Sequence, residues 1–317
     1  MKYGVLIDVK ADGYGKYQAL QKKMPDHQII DWSDEANRPS DFGRIKYAVG
    51  WNPDEGLFAR LPNLKVMFSI GAGVDHMLKD PSLPDLPLVR FVDASLTSRM
   101  SEWVCLQCLL HLRQHPSYDR QQTQKIWREL PQPDASDLRV GIMGMGVLGQ
   151  DAANKLVGLG FQVNGWSRTH KNLPGIGSFD YSELEPFLAQ TDILVGLLPF
   201  TPDTSGIFNS SLFARLSSSS PLGAPIFINA GRGQSQVETD IISAIRHGKL
   251  KGASLDVFEK EPLPISSPLW ELENVVINPH VASVSDVDAL AEHISTQIKR
   301  FESGQELQFL VDKQAGY

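Results

Sequence analysis

The sequence holds only two cysteines in 317 residues, too few for a disulfide framework, which points to a reducing compartment. No run approaches the roughly 18 uncharged apolar residues of a membrane helix. Excess positive charge is missing as well: 30 Lys and Arg face 37 Asp and Glu for a net charge of −7, which argues against nucleic acid and anionic membrane as partners. Low complexity is confined to one serine patch, at 217–223. What is present is the mix of an ordinary globular protein, 42% hydrophobic, 21% charged and 9% aromatic, with material for sizeable cores. The length exceeds what a single core usually serves, so two domains are expected. Residues 4–7 meet Asp8 too soon for a signal peptide and read as a first strand, so a soluble, cytoplasmic protein is the expectation.

Short apolar runs alternate with longer helical or polar stretches. Runs at 4–7, 27–31, 47–50, 65–70 and 88–92 predict the strands of one parallel sheet. Residues 100–112 are apolar nearly all round and lack Gly and Pro, which predicts a long buried helix joining two domains. The polar segment 120–137, with Pro131 and Pro133, reads as a surface excursion. Strands are then expected at 138–143, 161–166, 192–198, 225–230, 252–257 and 275–278, making a second doubly wound sheet. The serine patch 217–223 reads as a helix-to-strand loop, and 285–304 as a helix returning to the first domain.

Gly144-Met145-Gly146-Val147-Leu148-Gly149 matches the G-x-G-x-x-G pattern, and its surroundings give it weight. A predicted strand runs straight into it, and Leu148, Ala152, Leu156 and Leu159 continue as the apolar stripe of a helix. The three glycines serve different ends, with a tight turn at Gly144, close approach to a pyrophosphate at Gly146, and helix-against-strand packing at Gly149. The helix N-terminus adds N–H groups and partial positive charge for the phosphates. After the second strand an NAD site would carry an acid, but here stands Ser167-Arg168-Thr169-His170-Lys171. Arg168 can grip a 2′-phosphate through paired hydrogen bonds, with hydroxyls from Ser167 and Thr169 and a point charge from Lys171. NADP(H) is therefore expected over NAD(H), which remains admissible; a merely solvated basic loop is the alternative.

Three more segments sit just past predicted strands, at the edge where open α/β sheets place ligands: Asn229-Ala230-Gly231-Arg232-Gly233, Asp256 to Pro264, and Asn278-Pro279-His280. With the fingerprint, and in this order, these Arg-Gly, Glu-Pro and Pro-His motifs resemble the D-isomer-specific 2-hydroxyacid dehydrogenases nearly end to end. Trp51-Asn52-Pro53, Gly71-Ala72-Gly73-Val74-Asp75, Trp166-Ser167-Arg168-Thr169, Ser267-Pro268-Leu269-Trp270 and Gly316-Tyr317 are most similar to the branch that reduces glyoxylate and hydroxypyruvate. The resemblance implies an α/β fold of two doubly wound parallel-sheet domains. A Rossmann-type dinucleotide-binding domain, 101–285, would be inserted into a flavodoxin-like substrate domain made of 1–100 and 286–317.

It further implies that Arg232 binds the substrate carboxylate and polarises its ketone, that His280 donates the proton, and that Glu261 orients His280. The chemistry supports these roles. A carboxylate suits an arginine fork, the alkoxide made by hydride addition needs a proton from a group titrating near neutrality, and a carboxylate beside an imidazole favours the imidazolium. Glu259 competes with Glu261, which is preferred for its Glu-Pro position. By resemblance, Met100, Val147, Leu148, Leu198, Pro199, Ala230, Gly231 and Asp256 are cofactor contacts, while Trp51, Ala72 and Gly73 join Arg232 and His280 at the substrate. Core packing is the alternative for Met100, and a plain loop position for Trp51. His170 departs from the family's usual further basic residue. The partners implied are a small 2-oxo or 2-hydroxy acid and a second copy in a homodimer; a dehydrogenase of another D-2-hydroxy acid and a non-catalytic dinucleotide sensor are the competing readings. No metal is expected: Cys105, Cys108, His111 and His115 share one helix side but span roughly 15 Å, too far for one tetrahedral ion.

Overall fold

The computed structural model describes residues 3–10 and 13–317. In chain order its main elements are β1 (Gly4–Val9), α1 (Gly13–Lys23), β2 (Gln28–Asp31), β3 (Ile45–Trp51), β4 (Val66–Ser69), α2 (Asp75–Leu78), β5 (Leu88–Val89), α3 (Ala94–Leu112), α4 (His115–Thr123), β6 (Arg139–Met143), α5 (Val147–Gly158), β7 (Gln162–Trp166) and β8 (Ile176–Phe179). They continue with α6 (Leu184–Ala189), β9 (Ile193–Gly196), α7 (Ser210–Phe213), β10 (Ile226–Asn229), α8 (Glu238–Arg246), β11 (Gly252–Leu255), β12 (Val275–Ile277) and α9 (Val287–Glu302). The chain divides into two compact units, Met1–Leu96 with Ser285–Tyr317, and Thr97–Val284.

In the first unit a five-stranded sheet runs in the order β2-β1-β3-β4-β5, every pairing parallel. This is the flavodoxin-like order. All six residues of β1 are buried, as a strand covered on both faces requires. Leu6, Ala48, Phe58 and Met67 form the centre of one core. α9 packs along α1 and buries Leu290, Ala291, Ile294 and Ile298, so the C-terminal helix does return to the first sheet. Residues 309–311 then cover the edge at β5, where Arg90 N–H donates to Phe309 O (3.1 Å) and Val311 N–H to Leu88 O (2.9 Å).

The second unit carries a seven-stranded sheet, β12-β11-β10-β9-β6-β7-β8, again parallel throughout. The strand order reverses between β6 and β9, and at such a switch point the loops leaving two neighbouring strands diverge and open a crevice. α3 lies in the core of this unit, with Met100, Trp103, Val104, Cys108 and Leu112 buried among Val140, Ile142 and Ile228.

Several predicted elements differ in extent. α3 begins at Ala94 rather than residue 100, because the Asp93 carboxylate accepts Ser95 N–H (2.8 Å) and starts the helix earlier. Part of the expected surface excursion is helical, as α4, though it buries only Gln121. β8 lay outside the expected strands; it is short and mostly half-buried, so the apolar alternation that marks a strand is weak there. The serine patch is a loop, but an anchored one: Ser217 and Ser220 are buried, and Arg139 donates to both Asp192 oxygens (2.8 and 3.0 Å) and to Ser217 Oγ (2.8 Å). No helix among the described residues is long and apolar enough to cross a membrane.

Candidate active site

The turn after β6 explains each glycine of the fingerprint. Gly144 has φ +113, and a Cβ there would stand 2.5 Å from Leu197 O, in the loop that leaves β9 across the switch point. A Cβ on Gly149 would stand 2.0 Å from Gly144 O, so the first turn of α5 closes against the loop only with glycine. Gly146, the N-cap of α5, differs: a Cβ would meet nothing within 4 Å, leaving open space over the helix N-terminus. A tight turn, a bare approach and the first-turn N–H groups of α5, at Val147 and Leu148, which no helix pairs internally, together fit a dinucleotide pyrophosphate. Leu198 lines the same place from β9, with its backbone against Gly231; Pro199 O accepts Thr204 Oγ1 (2.7 Å), and Ala230 N–H donates to Gly196 O (3.1 Å).

At the end of β7, Ser167 Oγ donates to Thr169 O (2.8 Å), Lys171 Nζ to Thr169 Oγ1 (3.4 Å), and Lys171 N–H to Ser178 Oγ on β8 (2.8 Å). β8, unread in the sequence, thus supports the backbone of the segment bearing Arg168 and Lys171.

Arg232 owes its placement to Asn229, which is fully buried at the end of β10. Asn229 Oδ1 accepts Gly231 N–H (3.0 Å), and its Nδ2 donates to Arg232 O (3.2 Å) and Gln236 Oε1 (2.8 Å). Gln236 Nε2 donates in turn to Val257 O (2.9 Å), tying the arginine turn to the chain after β11. Gly233 makes the approach close, since a Cβ there would lie 1.8 Å from Phe258 O.

His280 Nδ1 lies 2.8 Å from Glu261 Oε2, and the other oxygen of Glu261 accepts Phe258 N–H (3.0 Å). Burial opposes the charge on Glu261, but the hydrogen bond and charge of His280, the Phe258 N–H and the Arg232 charge outweigh it, holding the carboxyl below its ordinary value. Glu259 is committed elsewhere: its Oε1 accepts Glu238 N–H (2.7 Å) while its own N–H donates to Glu238 Oε1 (2.8 Å). Glu261, not Glu259, is the partner of the imidazole. His280 has φ +55, a left-handed backbone uncommon outside glycine. Asp256 holds it there. Asp256 O accepts His280 N–H (2.8 Å), and the carboxylate oxygens accept Val281 N–H (2.8 Å) and Ala282 N–H (3.0 Å). Burial pushes the Asp256 carboxyl up, against the pull of those two N–H groups and of His280. The sequence reading missed this grip and that of Asn229; polar residues ending buried strands beside Gly-Arg and Pro-His turns were the available signal.

In the first unit Trp51 is part of a built cluster. A Cβ on Gly71 would lie 2.5 Å from its ring, which also packs against His76 with centroids 4.1 Å apart. Ser69 Oγ donates to Gly71 O (3.3 Å) and Gly73 O (3.2 Å), fixing the turn that carries Ala72 and Gly73. Trp51, Ala72 and Gly73 therefore lie together. Met100 is core: it is 7% exposed among the apolar residues around α3. The cysteine–histidine set disperses, since His115 opens α4 after α3 has ended; burial pushes the Cys108 thiol up and His111, bonded to Ser254 Oγ (2.9 Å), down to about 4.

Comparison with known proteins gives three concordant findings. A family described as "D-isomer specific 2-hydroxyacid dehydrogenase, NAD binding domain" matches residues 105–282. The glyoxylate/hydroxypyruvate reductase A of Yersinia enterocolitica is 37% identical over 305 residues, 94% of each chain. Among solved structures, an NADPH-dependent glyoxylate/hydroxypyruvate reductase of Sinorhizobium meliloti, in complex with NADP and sulfate, is 56% identical with a TM-score of 0.96, covering all of both chains. A probable 2-hydroxyacid dehydrogenase of Rhizobium etli, in complex with NADP, HEPES and L(+)-tartaric acid, is 55% identical with a TM-score of 0.95 over the same coverage.

Proposed function

The chain belongs to the D-isomer specific 2-hydroxyacid dehydrogenase family, and on that premise we propose that it reduces glyoxylate or hydroxypyruvate to the 2-hydroxy acid with NADPH as the hydride donor. The observation that carries this reading is the 2.8 Å couple of His280 and Glu261, set with the Arg232 turn beside the glycine fingerprint. The Gly144 to Gly149 turn would hold the pyrophosphate of NADPH, whose nicotinamide would supply the hydride for C2 of the 2-oxo acid. The guanidinium of Arg232 binds the substrate carboxylate and draws electron density from the adjacent ketone. Glu261 accepts from Nδ1 of His280, which makes Nε2 the nitrogen that gives its proton to the ketone oxygen as the alkoxide charge develops. Asp256 keeps the imidazole on its loop through the N–H groups that follow it. Arg168, with Ser167, Thr169 and Lys171, takes the 2′-phosphate and sets the preference for NADPH over NADH.

Trp51 with Ala72 and Gly73 belongs to the substrate side of the same reading, and their compact, partly aromatic turn suits a small acid. A homodimer rests on the family, and a cytoplasmic location on two cysteines that are both free. The test is the loss of NADPH absorbance with glyoxylate, hydroxypyruvate, pyruvate and no substrate, repeated with NADH. Oxidation that depends on glyoxylate or hydroxypyruvate and is faster with NADPH is expected; none with any 2-oxo acid would remove the enzymatic reading, and equal rates with NADH would remove the role of Arg168.

A further inference from the structure

Outside the residues used by the proposed reaction, the loop after β7 and the turn after β8 bring His170, Asp180 and Glu183 together. Each offers one ligand atom, and these atoms all lie within 4.8 Å of one another. His170 Nε2 stands 3.5 Å from Asp180 Oδ2 and 3.3 Å from Glu183 Oε2. Both separations are longer than the roughly 2.7–2.9 Å of a charge-assisted hydrogen bond. They do match the edge of a coordination tetrahedron, because ligand atoms bound at about 2.0–2.1 Å stand about 3.3–3.4 Å apart.

His170 and Asp180 are also held through their other polar atoms, as metal ligands usually are, and Asp180 and Glu183 share a reciprocal capping box. His170 Nδ1 lies 3.4 Å from Ser178 Oγ. Asp180 Oδ1 accepts Ser182 N–H (2.9 Å) and Ser182 Oγ (2.7 Å), leaving Oδ2 toward the imidazole. Glu183 Oε2 accepts Asp180 N–H (2.9 Å) while facing the same point. The charges balance as well, since two carboxylates and an imidazole complement a divalent cation. An imidazole nitrogen among the ligands favours a borderline transition ion over Mg2+ or Ca2+, which take oxygen.

We propose that His170, Asp180 and Glu183 form a binding site for a divalent transition cation, Zn2+ foremost, with its fourth position open to water. Each side chain is partly exposed, so the ion enters directly from solvent. The site requires neither the proposed reaction nor the cofactor preference, and it fails or holds independently of both.

Isothermal titration of the purified protein with Zn2+ tests the proposal, with Co2+ absorption as a spectroscopic second readout. Saturation at one Zn2+ per chain is expected, together with the visible bands of four-coordinate Co2+. His170→Gln and Glu183→Gln, each checked for an unchanged melting temperature, should weaken Zn2+ by more than about tenfold and abolish those bands. Absence of saturable Zn2+ binding would mean that the cluster is an ordinary ion pair. Undiminished binding in His170→Gln would put the ion elsewhere, and equal affinity for Mg2+ would exclude the imidazole as a ligand; each outcome overturns the proposal.

Discussion

His280 adopts a left-handed backbone, φ +55, and such a conformation persists only where its surroundings over-determine it. Asp256 and Glu261 supply that determination from two directions, one through the backbone and one through the ring. The lowered carboxyl of Glu261 has a consequence for stability with a definite sign. A depressed acid contributes stability that is complete above its unfolded value, near 4.5, and is lost as pH falls through the folded value. Against Glu261→Gln, the wild type should therefore melt higher at neutral pH and lose that advantage progressively below about pH 4.5, as calorimetry at a series of pH values would record. At the cofactor end, Arg168→Ala should raise the NADPH dissociation constant about tenfold or more, as expected for loss of a charge-assisted contact, and leave that for NADH nearly unchanged. Fluorescence titration of the two coenzymes measures both.

Among the elements, α5 depends most on a single missing atom. A Cβ at Gly149 points at backbone, Gly144 O at 2.0 Å, and backbone cannot swing aside like the end of a side chain. Gly149→Ala is expected to cost about 1–3 kcal/mol of stability and to weaken NADPH binding as the helix N-terminus shifts, a pair of effects read by thermal melting and titration. At the opposite edge of the sheet Arg139 neutralises Asp192, whose side chain is fully buried at the entry to β9. Arg139→Met strands that charge, and a loss of about 3 kcal/mol in chemical denaturation is the expected result.

The same elements show what a sequence can reveal. Strands buried on both faces, such as β1 and β10, are continuous apolar runs and were readable; so were the fingerprint and the Arg232 and Glu261 segments, which follow the buried strands β6, β10 and β11, whereas the His280 turn follows the half-buried β12 and was readable from its Pro-His pair. β8 and α4 were not, because neither carries an apolar pattern that a core would impose. The roles of Asn229 and Asp256 were harder to read for another reason: apart from Gln236, their partners are backbone atoms of neighbouring turns, which no side-chain spacing encodes. His170, Asp180 and Glu183 lie on two separate connections and converge only through the pairing of β7 with β8.

For the whole molecule, each unit builds its own set of turns. The first unit builds the Trp51, Ala72 and Gly73 turn, and the second holds the fingerprint, Arg232, Glu261 and His280. The net charge of −7 discourages a polyanion, yet Arg168, Lys171 and Arg232 all belong to the second unit, where the proposed ligands, a phosphorylated coenzyme and a carboxylate, are both anionic. Global charge thus describes the surface and not the site. The central claim, proton delivery by His280 during NADPH-dependent reduction of a 2-oxo acid, is tested most directly by following NADPH absorbance with glyoxylate for the wild type and His280→Ala side by side. Glyoxylate-dependent oxidation by the wild type is predicted, with kcat lowered about 10²- to 10⁴-fold in the variant at an NADPH affinity within a few-fold of normal. Near-normal turnover by His280→Ala, or a wild type that leaves NADPH unoxidised, would contradict it.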